Sequence, residues 1–517
     1  MTAFAGALSP SPDVFAAAYA DGGGVVWTSR VSDLETPVSA LLKLGPEKAG
    51  AFLLESVQGG DFRGRYSIIG LKPDLVWRVR NGRAEASRGG FDDRAFRPQR
   101  DAPLKSLRKL LQRSSLKLPS ALPPMAAGLF GYLGYDMVRL IERLPDKAPD
   151  PIGTPDALLV RPTVICIFDN VTSEITLVTP ARARAKQSAA QAYDAARARL
   201  ERVLRRLGRP LPHQRATEQR TAPPSIEPRS NTTPDEYRAL VETCKAYCRA
   251  GDVFQVVPSQ RFSTPFADSA FALYRSLRRL NPSPFLFYLK FADFSVVGSS
   301  PEILVRKRGE TITIRPIAGT RPRGVTPAED LALEQELLAD PKERAEHLML
   351  VDLARNDLGR VAKRGGDAGN LAATAGAGSK HVRVTEAFTI ERYSHVMHIV
   401  SNVEGEIAEG LTALDALLAG FPHGTVTGAP KIRAMEIINE VEKHSRGIYA
   451  GGVGYFGAGG DMDTCIALRT GVVKDGMLHV QAGGGVVLDS DPEAELQETL
   501  HKSRALFRAA AEAWRYG

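Results

Sequence analysis

Over residues 24–178 the chain alternates runs of β-branched and aromatic residues with turn residues, as in Tyr66-Ser67-Ile68-Ile69-Gly70, Leu75-Val76-Trp77-Arg78-Val79 and residues 163–168. This first half therefore reads as mostly stranded. Downstream, helical patterns and further hairpin-like strands follow one another without a regular βαβ alternation. A parallel sheet needs a crossover of a dozen or more residues between its strands, so the pattern predicts an α+β fold rather than a doubly wound sheet. No internal repeat recurs at a fixed period.

The two halves are parted by an unusual stretch. Residues 180–207 are rich in Ala and Arg, with Ala195, Leu200, Val203, Leu204 and Leu207 at helical spacing, and predict one long helix ended by Gly208 and Pro210. Residues 208–230, with Pro210, Pro212, Pro223, Pro224 and Pro228, read as a connector. The formal net charge of +8 also lies here, because residues 181–230 hold twelve basic residues against four acidic ones and the rest of the chain balances. A polyanion-binding enzyme would spread its Lys and Arg over a working face, often beside aromatics. The stretch is aromatic-poor and reads as a solvated helix and linker, so no nucleic-acid partner is expected.

Four scattered cysteines (Cys166, Cys244, Cys248, Cys465) make neither a disulfide framework nor a zinc site, and fit a reducing cytoplasm. The longest uncharged apolar run, residues 122–135, is broken by Pro and Gly and is too short for a bilayer. No basic and then apolar leader opens the chain, so no membrane segment is expected.

In the second half, Thr233-Pro234-Asp235-Glu236 caps a helix over residues 237–250, which Gly251-Asp252 stops before a strand over 253–257. Helices are also predicted over 341–355 and 492–515, and a hairpin at Lys474-Asp475-Gly476. On the first of these helices Glu343 and Glu346 lie three residues apart, followed by His347; on the second, Glu495 and Glu498 do the same. Each pair shares a helix face. Such a pair alone is an ordinary solvated surface, but four carboxylates converging on one cavity would need a hard divalent cation, and all-oxygen ligation is magnesium's preference. Gly483-Gly484-Gly485, between the strand 478–481 and the last helix, reads either as a tight turn or as amide donors for an anion. Arg469, on a strand over 464–473, is placed to bind a carboxylate or to form a surface ion pair. Residues 424–431, Gly-Thr-Val-Thr-Gly-Ala-Pro-Lys, fail the Walker A spacing; Thr427 is a candidate cap and Thr425 is free to face a ligand. His395 and His398 point to opposite faces of a strand, which is poor for shared ligation.

Taken together, these motifs resemble the chorismate-utilising enzymes, most closely the large subunits of anthranilate synthases. The resemblance is carried by Leu53-Leu54-Glu55-Ser56 with Arg65-Tyr66-Ser67, Gly131-Tyr132 through Tyr135-Asp136 to Leu144-Pro145, Gly251 to Val257, Asn281-Pro282-Ser283-Pro284-Phe285, Pro316 to Pro322, Glu346-His347 to Asp357, and Gly428 to Lys431. It implies two stacked, largely antiparallel sheets with helices outside. Residues 1–207 would form an N-terminal domain holding feedback-site residues, 208–230 a linker, and 231–517 the chorismate-binding catalytic domain.

The resemblance also implies roles. Magnesium goes to Glu346 and Glu498, with Glu343 and Glu495 completing the acidic shell. Arg469, Tyr449 and the Gly485 amide take the enolpyruvyl carboxylate, and Gly319, Thr320, Thr425, Gly483 and Lys502 surround the other substrate oxygens. His398 is the implied base for the step that expels pyruvate, in a catalytic set with Glu343 and Thr425. Related enzymes with a covalent nucleophile carry Lys where this chain has Ala318, so the nucleophile must diffuse in. Ammonia is expected, and water, used by isochorismate and salicylate synthases, is the lesser alternative, as is the aminodeoxychorismate or aminodeoxyisochorismate reaction. With no Gly-x-Cys-x-Gly-type stretch, ammonia from glutamine would come from a partner amidotransferase subunit, anthranilate synthase component II, in a heterotetramer of two of each. Leu54, Glu55, Ser56, Asn281, Pro284, Phe285 and Leu286 resemble a feedback site for L-tryptophan, with Phe285 and Leu286 where relatives often have Tyr and Met.

Overall fold

The computed structural model describes residues 8–58, 62–88, 90–212, 226–363, 381–393 and 396–516. Twenty-one strands join in one hydrogen-bonded network whose ladders are antiparallel throughout. The class is α+β, as expected.

The core shows how one network makes two layers. A cluster made largely from strands, including Phe52, Ile68, Val76, Phe130, Leu158, Val160, Phe287 and Tyr455, fills the space between the layers. A second cluster lies under the helices Pro37–Leu44, Ala189–Leu207, Ala270–Leu280 and Pro492–Glu512. A third lies under Pro103–Ser114, Pro341–Gly359 and Ala413–Gly420. Two long paired strands, Phe62–Arg80 and Ala157–Asp169, belong to all three. Their register slips between Pro73 and Leu75, next to Lys72 in left-handed backbone at φ 52°. Such a bulge bends a strand. Ile69 and Leu71 thus enter one helix-covered core, while Leu75, Trp77 and Val79 enter the other.

Strands on the two sides of the connector also pair with each other. Phe52–Gln58 lies beside Phe285–Lys290, with Leu286 opposite Glu55, and Gly128–Leu133 lies beside Gly452–Gly457. The apolar strand faces in each pair are shared cores, which bind the halves through the largest stabilising term available to a chain of this size.

Several elements differ from the sequence expectation. The helix expected over 180–207 starts only at Ala189, because the strand Glu174–Arg182 runs on and Ser188 forms a capping box with Gln191. The mostly stranded first half also holds the helices Pro37–Leu44 and Pro103–Ser114; Thr36 before Pro37 is a cap signal that could have found the first. The strand 253–257 shrinks to a two-residue bridge, Gln255–Val256. The strand expected over 464–473 is broken between Met462–Ile466 and Thr470–Lys474, with Arg469 at φ 47° in the break. Thr427 caps nothing and donates instead to the His423 carbonyl at 3.0 Å; the helix Lys431–Val441 has Pro430 at its N-cap. The Thr233 capping box, Gly251 in left-handed backbone and the turn at Asp475-Gly476 stand as expected. His395 lies outside the described residues.

Candidate active site

Two helices aim their N-terminal turns at one cleft. Asp340 and Asp491 cap Pro341–Gly359 and Pro492–Glu512, so Glu343 and Glu495 fall in first turns, where the helix dipole favours negative charge. Glu346 and Glu498 follow one turn on. Glu346 lies within electrostatic reach of Glu343 and Glu498, and Glu495 within reach of Glu498. Burial first, and then Glu343 and Glu498, raise the Glu346 carboxyl above its ordinary range; burial and Glu498 raise Glu495. Three of them have found charged or amide donors, and Glu495 has the Ser490 hydroxyl. Glu343 accepts from Arg321 at 3.1 Å, Glu346 from Gln255 at 3.2 Å, and Glu498 pairs with Lys502 at 2.6 Å. The fourth, Glu495, keeps a buried Oε2 with no partner.

Among the described residues no group of three or more His, Cys, Asp or Glu is drawn close enough to ligate a metal. The donor set still suits a hard cation: it is all oxygen, partly protonation-prone through mutual repulsion, and holds one orphaned buried oxygen. Gly484 leaves room for it, since a Cβ there would stand 2.7 Å from Glu495 Oε2.

The facing wall carries polar groups for an organic anion. Gly319, at φ 73°, brings its backbone beside Glu343, whose Oε2 would meet a Cβ at 3.1 Å. His398 reaches across from the neighbouring strand, with Nδ1 2.9 Å from the Gly319 carbonyl and 3.1 Å from Thr320 Oγ1. A carbonyl only accepts, so Nδ1 carries the proton and the neutral ring offers Nε2 as a base. Burial, with a further push from Arg469, lowers the His398 pKa to about 4. Arg469 is itself desolvated enough to lower its pKa, and among the described residues no carboxylate pairs with it. A half-buried guanidinium with no carboxylate beside it is a ready partner for a substrate carboxylate. Tyr449 is buried below the glycines, its hydroxyl pKa raised to about 12 by burial, and Lys502 donates to the Gly483 carbonyl at 3.0 Å. The Gly485 N–H has no partner among the described residues.

Thr425 is not free, as the sequence suggested. Its hydroxyl donates to Glu302 Oε1 at 2.9 Å and lies 3.0 Å from His423 Nδ1. Sequence reasoning missed both partners. Glu302 is 2% exposed, and burial raises its pKa to about 8 against weaker opposing contacts that include Lys502. It is therefore mostly protonated at neutral pH, and can donate a proton in the cleft. The apolar run 303–305 directly after it was the available signal, and a weak one. His423, wholly buried, is held neutral, with its pKa lowered to about 3.

The expected feedback residues also come together. Leu54, Glu55 and Ser56 lie on Phe52–Gln58, paired with the strand that starts at Phe285 and Leu286; Asn281 and Pro284 lead into that strand. Glu55, however, is already engaged: Arg278 grips it at 2.6 and 3.0 Å and the Tyr274 hydroxyl donates at 2.5 Å. Asn281 bonds Ser299, and the Ser299 N–H donates to the Arg469 carbonyl at 3.2 Å.

The model of the chorismate binding enzyme family matches residues 65–508. The chain belongs to the chorismate-binding enzyme family. It is 56% identical over 490 residues to anthranilate synthase component 1 of Cereibacter sphaeroides, covering 95% of each protein. It is 47% identical over 485 residues to the protein of that name from Pseudomonas aeruginosa, covering 93% of this chain and 94% of that one. The crystal structure of anthranilate synthase component I from Streptococcus pneumoniae TIGR4 superposes with a TM-score of 0.74 at 36% identity, covering 86% of this chain and 92% of that chain. Within this family, a chorismate carboxylate is the organic anion that the cleft is expected to meet.

The burial of His398 has a direct spectroscopic consequence. Its imidazole NMR shifts are expected to stay flat between pH 5 and 8, in the neutral Nδ1–H form; a titration midpoint near the ordinary value of ~6.5 would contradict the geometry.

Proposed function

We propose that this chain converts chorismate and ammonia to anthranilate and pyruvate through 2-amino-2-deoxyisochorismate, the first committed step of tryptophan biosynthesis. The observation that carries this reading is the opposition of four electrostatically coupled carboxylates to Arg469 and the neutral base His398. Arg469 and the Gly485 N–H hold the enolpyruvyl carboxylate. Glu346 and Glu498, with Glu495, would hold magnesium, which would supply positive charge against the ring carboxylate. As ammonia bonds to carbon 2, the ring double bonds shift and the carbon 4 hydroxyl leaves; Glu302 gives it a proton, so that it departs as water. The new ammonium loses a proton to solvent. His398 Nε2 then removes the carbon 2 proton, the bond between ring carbon 3 and the ether oxygen breaks so that the ring becomes aromatic, and the departing enolpyruvate takes a proton from solvent on its methylene carbon to become pyruvate.

Ala318 supports an external nucleophile, because a buried methyl cannot attack carbon 2. The name of the relatives, component 1, supports a partner component II that would deliver ammonia from glutamine, in a heterotetramer with two of each chain. No helix among the described residues is long and apolar enough to cross a membrane, and the four cysteines are free, which accords with a cytoplasmic complex. With chorismate, magnesium and ammonium salts the isolated chain is expected to form fluorescent anthranilate, and with glutamine none. Glu302→Gln is expected to lower the ammonium-dependent rate at least ~100-fold. No product from ammonium would sink the reaction, and product from glutamine would sink the partner.

The second proposal is tryptophan feedback at Leu54, Glu55, Ser56, Asn281, Pro284, Phe285 and Leu286. With Glu55 held by Arg278, the ligand ammonium would share that carboxylate rather than find it free. The Asn281–Ser299–Arg469 contacts supply a physical link to the active site. Calorimetry is expected to show saturable tryptophan binding, weakened by Ser56→Phe; no heat at millimolar tryptophan would remove the proposal.

A further inference from the structure

The positive excess of residues 181–230 has no part in the reaction above, and the structure gives it a shape. The helix Ala189–Leu207 buries Ala192, Ala196, Leu200, Val203 and Leu207 against the sheet. Arg199, Arg202 and Arg206, spaced for one helical flank, then line up along its side. Arg202, Arg205 and Arg206, together with Arg209 and with Lys72 from the bulge of Phe62–Arg80, wall a cavity of about 230 Å³. Leu71 and Val164 contribute apolar surface.

Among the described residues no carboxylate lines this cavity. Arg205 has only Glu201 at 4.0 Å, and among the described residues Lys72, Arg202, Arg206 and Arg209 have no ion-pair partner. The acids nearby are engaged elsewhere: Asp74 with Arg161, Glu35 with Lys43. Arg206 is anchored by donating to the Leu44 carbonyl at 3.3 Å, which also takes Lys48 at 3.0 Å. The cations oppose one another: burial, Arg202, Arg206 and Arg199 lower the Lys72 pKa, and burial, Arg206 and Lys72 lower that of Lys48. Repelling cations gathered around one hollow are relieved by a multivalent anion, and guanidinium forks match phosphate oxygens two at a time.

We propose that this cavity binds a small soluble molecule bearing a phosphate or diphosphate group, at a site separate from the chorismate cleft. Its volume suits a small ligand rather than a polymer, its apolar wall suits a sugar or short carbon skeleton, and among the described residues no aromatic side chain lines it for base stacking.

Inorganic pyrophosphate is the probe, titrated calorimetrically into the full chain without magnesium at fixed ionic strength. One saturable site is expected, weakened at least tenfold by Arg202→Gln with Arg206→Gln and, separately, by Lys72→Gln. Arg197→Gln, which removes a cation already paired with Asp194 on the same helix, is expected to leave binding unchanged. Anthranilate formation from ammonium should persist in the double variant, showing that it is folded. Pyrophosphate binding no stronger than that of chloride, or binding that survives both cavity variants but is lost in Lys502→Gln, would overturn the proposal. So would sedimentation with phosphatidic acid vesicles in the absence of pyrophosphate binding, which would assign the patch to a lipid headgroup.

Discussion

Four carboxylates pressed into one cleft repel one another, and much of the site is organised around that repulsion. Glu343 and Glu346 recruit Arg321 and Gln255 from other elements and Glu498 pairs with Lys502 one turn along its own helix, while Glu495 is left with an unsatisfied buried oxygen. Burial adds to that repulsion and is the larger cause of the raised carboxyl pKa at Glu346 and Glu495. The two helix N-termini offset part of this, and a divalent cation would offset the rest. An organic anion placed between that charge and Arg469 would answer a half-buried guanidinium that has no carboxylate partner among the described residues.

The same cleft separates acid and base by environment. Burial acts on a carboxyl and an imidazole in opposite directions, keeping Glu302 protonated and His398 unprotonated at one pH. The Gly319 carbonyl fixes the imidazole tautomer, and Thr425 fixes the carboxyl. In the proposed reaction a single physical cause, exclusion of water from the wall, would therefore supply a proton donor for the first half and an acceptor for the second.

What the sequence revealed followed the range of the interactions. The Thr233 capping box, the Asp475-Gly476 turn and the two glutamate pairs are written within a few residues, and were legible. The approach of those pairs was argued from resemblance, because residues 346 and 498 come within reach only through tertiary packing. The bend of Phe62–Arg80 depends on a register slip against a strand some ninety residues away, and no local pattern announces it. The break at Arg469 was hidden because residues 464–473 keep strand-like composition while the backbone turns. Glu302 is hard to single out in the sequence, because Gly-Ser-Ser-Pro precedes it and only the run from Ile303 to Val305 beside it is apolar. The arginine-rich helix was read as solvated, and its partner Lys72 lies in another element altogether.

The central claim is that ammonia, not water, enters at carbon 2 and that His398 acts only afterwards. The direct measurement is mass spectrometry of products from the His398→Met variant, incubated with chorismate, magnesium and 15N-ammonium in H2 18O. Accumulation of 15N-labelled 2-amino-2-deoxyisochorismate, with little anthranilate, is the predicted result. An 18O-labelled isochorismate, or normal release of labelled anthranilate, would contradict it.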